Sequence, residues 1–335
     1  MSSSSLHRIS LDNIAVVIAA KNEEKNIREC VHSLLKAAKG KAEVWVIDDG
    51  STDQTAAILK EFSSSIYIIT GLGEGPSIAR NVGIQSTSQP YIAFTDADGI
   101  VNEDWLEALA SGLHDQETRF VGIGGSQKNF PNAKDWEAFH AAFLENVGFV
   151  SDYVHSGDQI HEVNHNPTCN VLYHRQTLMD EGGFDEQLWP CEDLDLDIRL
   201  KKKGHRFLFT PKAIIYHHRP DSFMGFMRMM KRYGFGHGQI VKKHGLCQKI
   251  HMLPVLSVIA IVGLIYFAAQ SPFLFARVSL SFMTVSFLWF GLTFLDFSKF
   301  LLKKTMYGFY ILPSVLFWNV GFFTGLIQEK KITIK

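Results

Sequence analysis

The sequence predicts an α/β domain built from alternating strands and helices, followed by transmembrane helices. Short apolar runs rich in Val and Ile recur through the N-terminal part of the chain. Segments with apolar residues at helical spacing separate these runs, an alternation typical of a mostly parallel, Rossmann-like sheet flanked by helices. From Met252 onward, long stretches of the sequence carry almost no charge.

The first elements are a strand, a helix and a second strand. Asn13–Ala20 is a continuous apolar run of the kind found in strands buried on both faces. Apolar residues between Ile27 and Leu35 fall at helical spacing, and Gly40 is a suitable helix end. The next apolar run, AEVWVIDD, predicts the second strand.

Ser51 and Gln54 have the spacing of a capping box, which predicts that a helix begins near Ser51. The following segments predict a third strand, a third helix after a glycine-rich turn, and a fourth strand: SIYIIT, SIARNVGIQS and PYIAFTDAD. The alternation therefore continues up to the two aspartates at the end of the fourth strand.

Polar residues cluster where the predicted strands end. Ligands bind outside the carboxyl ends of strands in such sheets, so these clusters are expected to share one edge. Each cluster alone is ordinary turn chemistry, but four of them on one edge indicate a ligand site. The clusters are Asn22, Glu23 and Glu24; Asp48, Asp49, Gly50 and Ser51; Gly71, Gly73, Gly75, Arg80 and Asn81; and Asp96 and Asp98.

Asp96 and Asp98 raise a specific question because two carboxylates follow a buried strand. Alternation directs both side chains to one side of the chain, where they repel each other. A divalent cation removes this repulsion, and hard oxygen ligands suit Mg²⁺ or Mn²⁺. The alternative is a solvated turn, since Gly99 follows directly. The two carboxylates alone do not decide between these interpretations.

Composition excludes several other classes of function. The chain has 33 basic and 34 acidic residues and a formal net charge of -1, which argues against nucleic acid as a partner. The four cysteines have no paired spacing, and the 14 histidines include no HExxH pattern, so neither a disulfide framework nor a zinc site is expected. The serine-rich start lacks the apolar region of a signal peptide, and residues 1–10 are expected to be disordered.

The C-terminal region predicts a multi-pass membrane protein. Three largely uncharged segments have about the length of a membrane helix: residues 252–269, 272–295 and 306–327, within a transmembrane region at 251–329. A buried helical core is the alternative interpretation. Residues 223–250, rich in aromatic, Met and basic residues, predict either an interfacial helix on anionic membrane lipid or an ordinary linker helix. The soluble domain, residues 11–222, is expected to face the cytoplasm.

The segment CEDLDLDIRLKKKG, residues 191–204, is ambiguous by periodicity. Its apolar residues alternate strictly, as in a strand, but they also form i,i+4 pairs. The acidic residues favour a helix N-terminus, and Gly204 would end such a helix.

Six stretches, in their order and spacing, resemble inverting glycosyltransferases of family 2 with the nucleotide-diphosphosugar-binding GT-A fold. They are IAAKNEEKNI, VWVIDDGSTDQT, GPSIARNVGI, YIAFTDADG, GGFDEQLWPCEDLDLDIRL and PKAIIYHHR, within residues 14–219. The resemblance is to membrane-attached members that act on lipid-linked glycans or exopolysaccharides. It implies a nucleotide-diphosphate sugar donor, a lipid-linked or polysaccharide acceptor, and a divalent metal, Mn²⁺ or Mg²⁺.

The resemblance also implies roles for individual residues. The donor would be bound by residues of the first four strand ends: Ala20, Asn22, Glu23, Asp48, Asp49, Arg80, Asp96 and Ala97. Asp49 would lie by the nucleotide base, assisted by Asp48, and Arg80 near the nucleotide or its diphosphate. Asp96 and Asp98 would be the family's DxD motif, with Asp98 the stronger metal candidate.

The family's ED motif opens a helix, so the resemblance selects a helix for residues 191–204. It implies that Asp193 is the general base for the acceptor hydroxyl, and that Glu192 supports the acceptor or the loop. A histidine at the end of AIIY is expected as a further metal or diphosphate ligand, and alternation favours His217 over His218. Asn170, Trp189 and Arg199 are weaker candidates for the acceptor site, Arg199 more as an ion-pair partner of the acidic cluster.

Two alternatives to a transferase that adds one sugar stay open. Processive polysaccharide synthases carry a QxxRW motif, but here Met229 and Tyr233 stand in place of its Gln and Trp. A catalytically inactive scaffold that binds nucleotide sugar is the other, and the intact Asp96, Asp98 and Asp193 argue against it.

Overall fold

The computed structural model describes residues 9–113, 119–147, 159–273 and 299–328. The chain forms two compact units, the first ending at Arg219 and the second beginning at Pro220. This division lies close to the domain boundary predicted at residue 222. Ile9 is buried in the core and Ser10 caps a short 3-10 helix, Leu11–Asn13, so the ordered domain begins before residue 11.

The first unit is a nine-stranded mixed sheet flanked by helices, which confirms the predicted α/β class. Eight strands follow the order β3-β2-β1-β4-β8-β6-β9-β5, and β7 pairs with β9. The strands are β1 (Ile14–Ala20), β2 (Glu43–Asp48), β3 (Tyr67–Thr70), β4 (Tyr91–Thr95), β5 (Gly99–Val101), β6 (Phe120–Lys128), β7 (His161–Val163), β8 (Asn170–His174) and β9 (Arg206–His217).

Helices cover the sheet and complete the core. They are α1 (Ile27–Ala38), α2 (Thr55–Lys60), α3 (Pro76–Ser86), α4 (Trp105–Gly112), α5 (Asp135–Val147), α6 (Arg175–Asp180) and α7 (Glu192–Lys202). Ile14, Val16 and Ile18 of β1 pack into one hydrophobic cluster, whereas Val17 packs into another. The first strand is therefore buried on both faces, as its continuous apolar run predicts.

The sheet has a parallel half and a largely antiparallel half. The pairs β1–β2, β1–β4 and β2–β3 are parallel, so their carboxyl ends share one edge as expected. β8 then runs antiparallel to β4 and to β6, and β5 runs antiparallel to β9. Alternation of strands and helices predicts only the parallel half, and no such pattern announces the antiparallel strands.

The helix predicted from Ser51 begins instead at Thr55. Ser51 does not cap it, because its Oγ accepts a hydrogen bond from the backbone N–H of Asn22 at 2.9 Å. The N-cap residue is Gln54, whose side chain makes no capping bond, and Oδ1 of Asp53 instead accepts from the N–H of Thr55 at 2.9 Å. The ambiguous acidic segment forms α7, a helix that begins at Glu192, as the resemblance implies.

The second unit contains the remaining described helices: α8 (Phe223–His244), α9 (Met252–Gln270) and α10 (Lys299–Ile327). α8 packs directly against α10 through small residues. A Cβ added at Gly234 would lie 1.9 Å from the backbone oxygen of Trp318, and one at Gly321 equally close to that of Lys231. Only glycine allows the two backbones to approach this closely. α8 is thus part of a helical pair rather than an isolated linker.

Two stretches of the second unit, Lys249–Gln270 and Phe309–Ile327, are long and apolar enough to cross a membrane, by length and composition alone. They correspond to the predicted segments 252–269 and 306–327. The predicted segment 272–295 lies almost entirely outside the described residues, so a multi-pass topology is not supported by the described helices.

Candidate active site

The loops after β1 and β2 are fastened to each other at the sheet edge. Asn22 adopts a left-handed conformation with φ of 57°, and its Oδ1 accepts from the backbone N–H of Thr52 at 2.8 Å. The next residue, Glu23, donates its backbone N–H to Oγ1 of Thr55 at 2.8 Å. These bonds fix the first loop above the start of α2 and leave it beside the carboxyl ends of the strands.

Asp48 and Asp49 are both buried and organise the neighbouring turns. Oδ1 of Asp48 accepts from the N–H of Ser51 at 3.0 Å. The carboxylate of Asp49 accepts from the N–H groups of Glu74 and Gly75, both at 2.9 Å. Asp49 thereby shapes the glycine-rich turn that opens α3, and its predicted contact with the nucleotide base stays a prediction. Two further predicted donor-binding residues, Ala20 and Ala97, are also buried.

Asp96, Asp98 and His217 come together at the end of β4. The register of β5 against β9 pairs Gly99 with His217, which brings the imidazole over the two aspartates. Nε2 of His217 lies 3.1 Å from Oδ1 of Asp98 and 3.8 Å from Oδ2 of Asp96. One ligand atom from each side chain can lie within 4.8 Å of the other two.

The charges of this cluster depend on one another. Burial lowers the pKa of His217, but the two carboxylates outweigh burial and raise it to about 10. Burial raises the pKa of Asp96, but His217 and Arg80 outweigh burial, and the net pKa is lowered. The aspartate side chains are about one third exposed. Two carboxylates and an imidazole that are open to solvent fit Mn²⁺ or Mg²⁺ by donor type.

His218 faces a different environment. Its Nδ1 lies 3.0 Å from Oε1 of Glu137, and its ring stacks on Phe130 with centroids 4.3 Å apart. The geometry therefore groups His217, and not His218, with the two aspartates.

Arg80 joins the DxD turn to the start of α7. Its guanidinium donates to Oε1 of Glu192 at 2.6 Å and to Oδ1 of Asp96 at 3.2 Å. The Arg80 side chain is only 8% exposed. Burial lowers its pKa, but Glu192, Asp96 and Asp193 outweigh burial and raise it. Arg80 is therefore a buried cation that fixes the two acidic motifs relative to each other.

The two acids of the ED motif have different environments. Burial and the neighbouring Asp193 raise the pKa of Glu192 to about 7, although Arg80 opposes this shift. The side chain of Asp193 is 20% exposed. Its Oδ1 accepts from the N–H of Leu194 at 2.8 Å, and its Oδ2 from the N–H of Thr168 at 3.3 Å. Asp193 is thus the more accessible acid, as a base for an external hydroxyl requires.

Two of the weaker acceptor candidates are structural residues. Asn170 is fully buried; its Oδ1 accepts from Trp105, and its Nδ2 donates to the backbone oxygens of Ser126 and Ala213. It does not border an open site, because its amide is engaged inside the sheet. Trp189 is 40% exposed in the loop before α7 and stays a candidate.

Arg199 is the second of these structural residues. Its guanidinium donates to Oδ2 of Asp195 at 2.8 Å and to the backbone oxygens of Glu181 and Gly183 at 2.9 and 2.7 Å. This agrees with the expected ion pair in the acidic cluster. The guanidinium also holds α7 to the turn after α6, and a place for Arg199 beside the acceptor stays a prediction.

Sequence reasoning missed the residues behind Asp193. Oδ2 of the fully buried Asp197 lies 2.8 Å from Nδ1 of His165, and Nε2 of the same histidine faces Asp193 at 3.9 Å. The sequence does indicate that Asp197 lies on the same face of α7 as Asp193, since the two are four residues apart. No sequence signal connected His165, in the loop between β7 and β8, to this helix.

Comparison with known proteins identifies the family. The family model described as glycosyl transferase family 2 matches residues 15–179. Residues 15–179 therefore form a glycosyl transferase family 2 domain. The matched region includes the first three loop clusters and the DxD turn, and it ends before the ED motif on α7.

Individual family 2 relatives are distant but extensive matches. The chain is 27% identical over 237 residues to the glycosyltransferase AglE of Haloferax volcanii, covering 69% of this chain and 74% of that protein. It is 23% identical to the poly-beta-1,6-N-acetyl-D-glucosamine synthase of Staphylococcus aureus, covering 69% and 56%. The chain therefore spans about half to three quarters of the length of these relatives.

A solved structure shares the fold. It is the mannosyltransferase PcManGT of Pyrobaculum calidifontis in complex with GDP-Man and Mn²⁺, with a TM-score of 0.65 and 15% sequence identity. The alignment covers 95% of this chain and 88% of the other. At this identity the likeness concerns the GT-A fold alone.

Proposed function

We propose that this family 2 glycosyltransferase transfers a sugar from a nucleotide-diphosphate donor to a lipid-linked or polysaccharide acceptor, with inversion at the anomeric carbon. One observation carries the proposal: Arg80 bonds both Asp96 of the candidate metal cluster and Glu192 beside Asp193. A donor diphosphate held at the first group would therefore present its sugar near the second.

In this proposal, Asp96, Asp98 and His217 hold a divalent ion. When bound, Mn²⁺ or Mg²⁺ would neutralise negative charge that develops on the leaving diphosphate. The likeness to a fold whose solved complex contains GDP-Man and Mn²⁺ is consistent with such a site. Asp49 and Arg80 would hold the nucleotide end of the donor.

Asp193 would act as the general base. It would take the proton from the acceptor hydroxyl while that oxygen attacks the anomeric carbon opposite the diphosphate. Its partial exposure supports this role, whereas the buried Glu192 would hold Arg80 in place. The bond from sugar to diphosphate breaks as the new glycosidic bond forms, and the proton remains on Asp193.

The apolar helices α9 and α10 support membrane attachment, with the catalytic unit facing the cytoplasm. α9 exposes large apolar side chains along its length, among them Ile259, Leu264 and Tyr266. Such a surface suits contact with lipid tails. An acceptor carried on a lipid would then lie near the enzyme.

The first experiment is a melting screen of the full-length protein in detergent. UDP-, GDP-, CMP- and dTDP-linked sugars are added with and without Mn²⁺, since a ligand of the folded state raises the melting temperature. We expect one nucleotide class to stabilise the protein in a metal-dependent way. Asp98→Ala should remove that dependence. Absence of any shift in folded protein would argue against nucleotide-sugar binding and so against the proposal.

The second experiment tests catalysis without knowledge of the acceptor. Slow hydrolysis of the bound donor, with water in place of the acceptor hydroxyl, releases nucleoside diphosphate. Asp193→Asn should reduce this release by about 100-fold or more while donor-induced stabilisation persists. Full activity of this variant would show that another residue is the base.

A processive synthase is the second candidate, favoured by the similarity to a poly-beta-1,6-N-acetyl-D-glucosamine synthase. Product length separates the two: a single added sugar supports the main proposal, and a polymer supports the alternative.

A further inference from the structure

Behind Asp193 lies a buried polar group that the proposed reaction does not use. Asp197 is one helical turn further along α7 and is fully buried. Its carboxylate accepts from the Tyr173 hydroxyl at 2.7 Å and from the backbone N–H of Asn166 at 2.9 Å. It also lies 2.8 Å from Nδ1 of His165. Three partners fix this carboxylate, so it can in turn fix the imidazole.

His165 lies between two carboxylates of the same helix face. Nδ1 donates to Oδ2 of Asp197, which leaves Nε2 facing Oδ2 of Asp193 at 3.9 Å. This second distance exceeds that of a hydrogen bond, so the interaction with Asp193 is one of charge. The ring is largely buried, with 12% of the side chain exposed, and water screens the interaction little.

The surroundings of His165 favour its cationic form. Burial lowers its pKa, but Asp193, Asp197 and Glu192 outweigh burial and raise it. All three acids lie on α7. Tyr173 of β8 reaches the ring only through Asp197, and Arg80 is paired with Glu192.

We propose that His165 is a positioning residue for Asp193: Asp197 fixes its imidazole, and the imidazole holds a positive charge 3.9 Å from the Oδ2 that receives the acceptor proton. The inference rests on the proposed role of Asp193 as general base. Without the imidazolium, Asp193 would lose the cation 3.9 Å from its Oδ2, while the neighbouring Glu192 would repel its charge.

The test is His165→Asn in the full-length protein, with donor hydrolysis measured from pH 5 to pH 9. The asparagine amide can replace the donor to Asp197 but carries no charge. We expect the acidic limb of kcat to move to higher pH by about one unit, the smaller end of the effect of an adjacent opposite charge. At a given acidic pH, the rate of the variant would be about tenfold lower for each pH unit by which the limb moves. At high pH the rate would match that of the unmodified protein. KM for the donor should not change.

Tyr173→Phe is the matched control. It removes another donor to Asp197 and leaves His165 in place, so the acidic limb should stay where it is in the unmodified protein. If His165→Asn does not fold, His165→Gln supplies the same test, since it also lacks the charge.

The outcomes are distinct. A folded His165 variant with an unmoved limb, or with an equal loss of rate at every pH, would overturn the role of His165. The same limb shift in Tyr173→Phe would also overturn it, because the effect would then follow from disturbing Asp197. An unmodified protein that releases no nucleoside diphosphate would overturn the proposed function together with this inference.

Discussion

Replacement of Arg199 by Met tests whether this residue serves the fold or the acceptor. Arg199 pairs with Asp195, whose side chain is 0% exposed, and donates to two backbone oxygens of the turn after α6. Removing the cation leaves a buried carboxylate without its main counter-charge. Breaking a buried pair in this way costs about 3–5 kcal/mol. For a unit of this size the melting temperature should fall by roughly 6–20 °C.

Arg28→Met is the matched control. Arg28 pairs with Glu61 through two bonds of 2.6 Å, but both side chains are about half exposed. Such a pair contributes little to stability because water screens the charges, so the melting temperature should fall far less than in Arg199→Met. Both variants are measured by scanning fluorimetry of the full-length protein in detergent.

Two results would refute the reasoning. Equal losses in Arg199→Met and Arg28→Met would show that burial does not make the first pair special. A folded Arg199→Met protein with unchanged melting temperature and weakened acceptor use would return Arg199 to the acceptor site. The double variant Asp195→Asn, Arg199→Met should recover part of the lost stability, because it removes the buried carboxylate charge together with the guanidinium that balances it.

Two further predictions concern the metal cluster and the helical pair. His217→Ala should weaken the apparent affinity for donor in the presence of Mn²⁺ about 10-fold or more, the size of effect expected when the surroundings of a bound metal are disturbed. His218→Ala should change this affinity by no more than about 2-fold. Equal effects of the two variants in the melting assay would contradict the grouping of His217 with the aspartates. Gly321→Ala should separate α8 from α10 and lower the melting temperature, since its Cβ would meet a backbone oxygen at 1.9 Å and overpacking costs about 1–3 kcal/mol. Gly263→Ala, whose Cβ would meet nothing within 4 Å, should not lower it, and a comparable loss there would argue against close packing as the cause.

Local sequence pattern determined the first half of the fold. Strand β1 is buried on both faces, and continuous apolar character is the direct sequence signature of that burial. The predicted polar clusters do lie at strand ends, because parallel strands joined by helices have no other arrangement of their carboxyl ends. The resemblance then selected the helix for residues 192–202, which periodicity alone left undecided.

Contacts between distant segments were decided by the tertiary structure. Ser51 is an example. Its spacing is that of a cap for the following helix, but its Oγ accepts a hydrogen bond from the backbone N–H of Asn22 instead. Local spacing shows which hydrogen bonds a residue is able to make. Which of them forms depends on the groups that distant segments of the chain bring next to it.

For the candidate site too, some features follow from the sequence and others only from the tertiary structure. The two acids after a strand stand out because they depart from the local apolar pattern, whereas the two acids at the start of α7 were assigned through the family resemblance. Alternation already favoured His217 over His218, but its contact with the two aspartates required the antiparallel register of β5 on β9. The place of His165 beside Asp193 required a loop to fold against α7. Neither contact leaves a periodic trace, since each depends on pairing across a long separation in the chain.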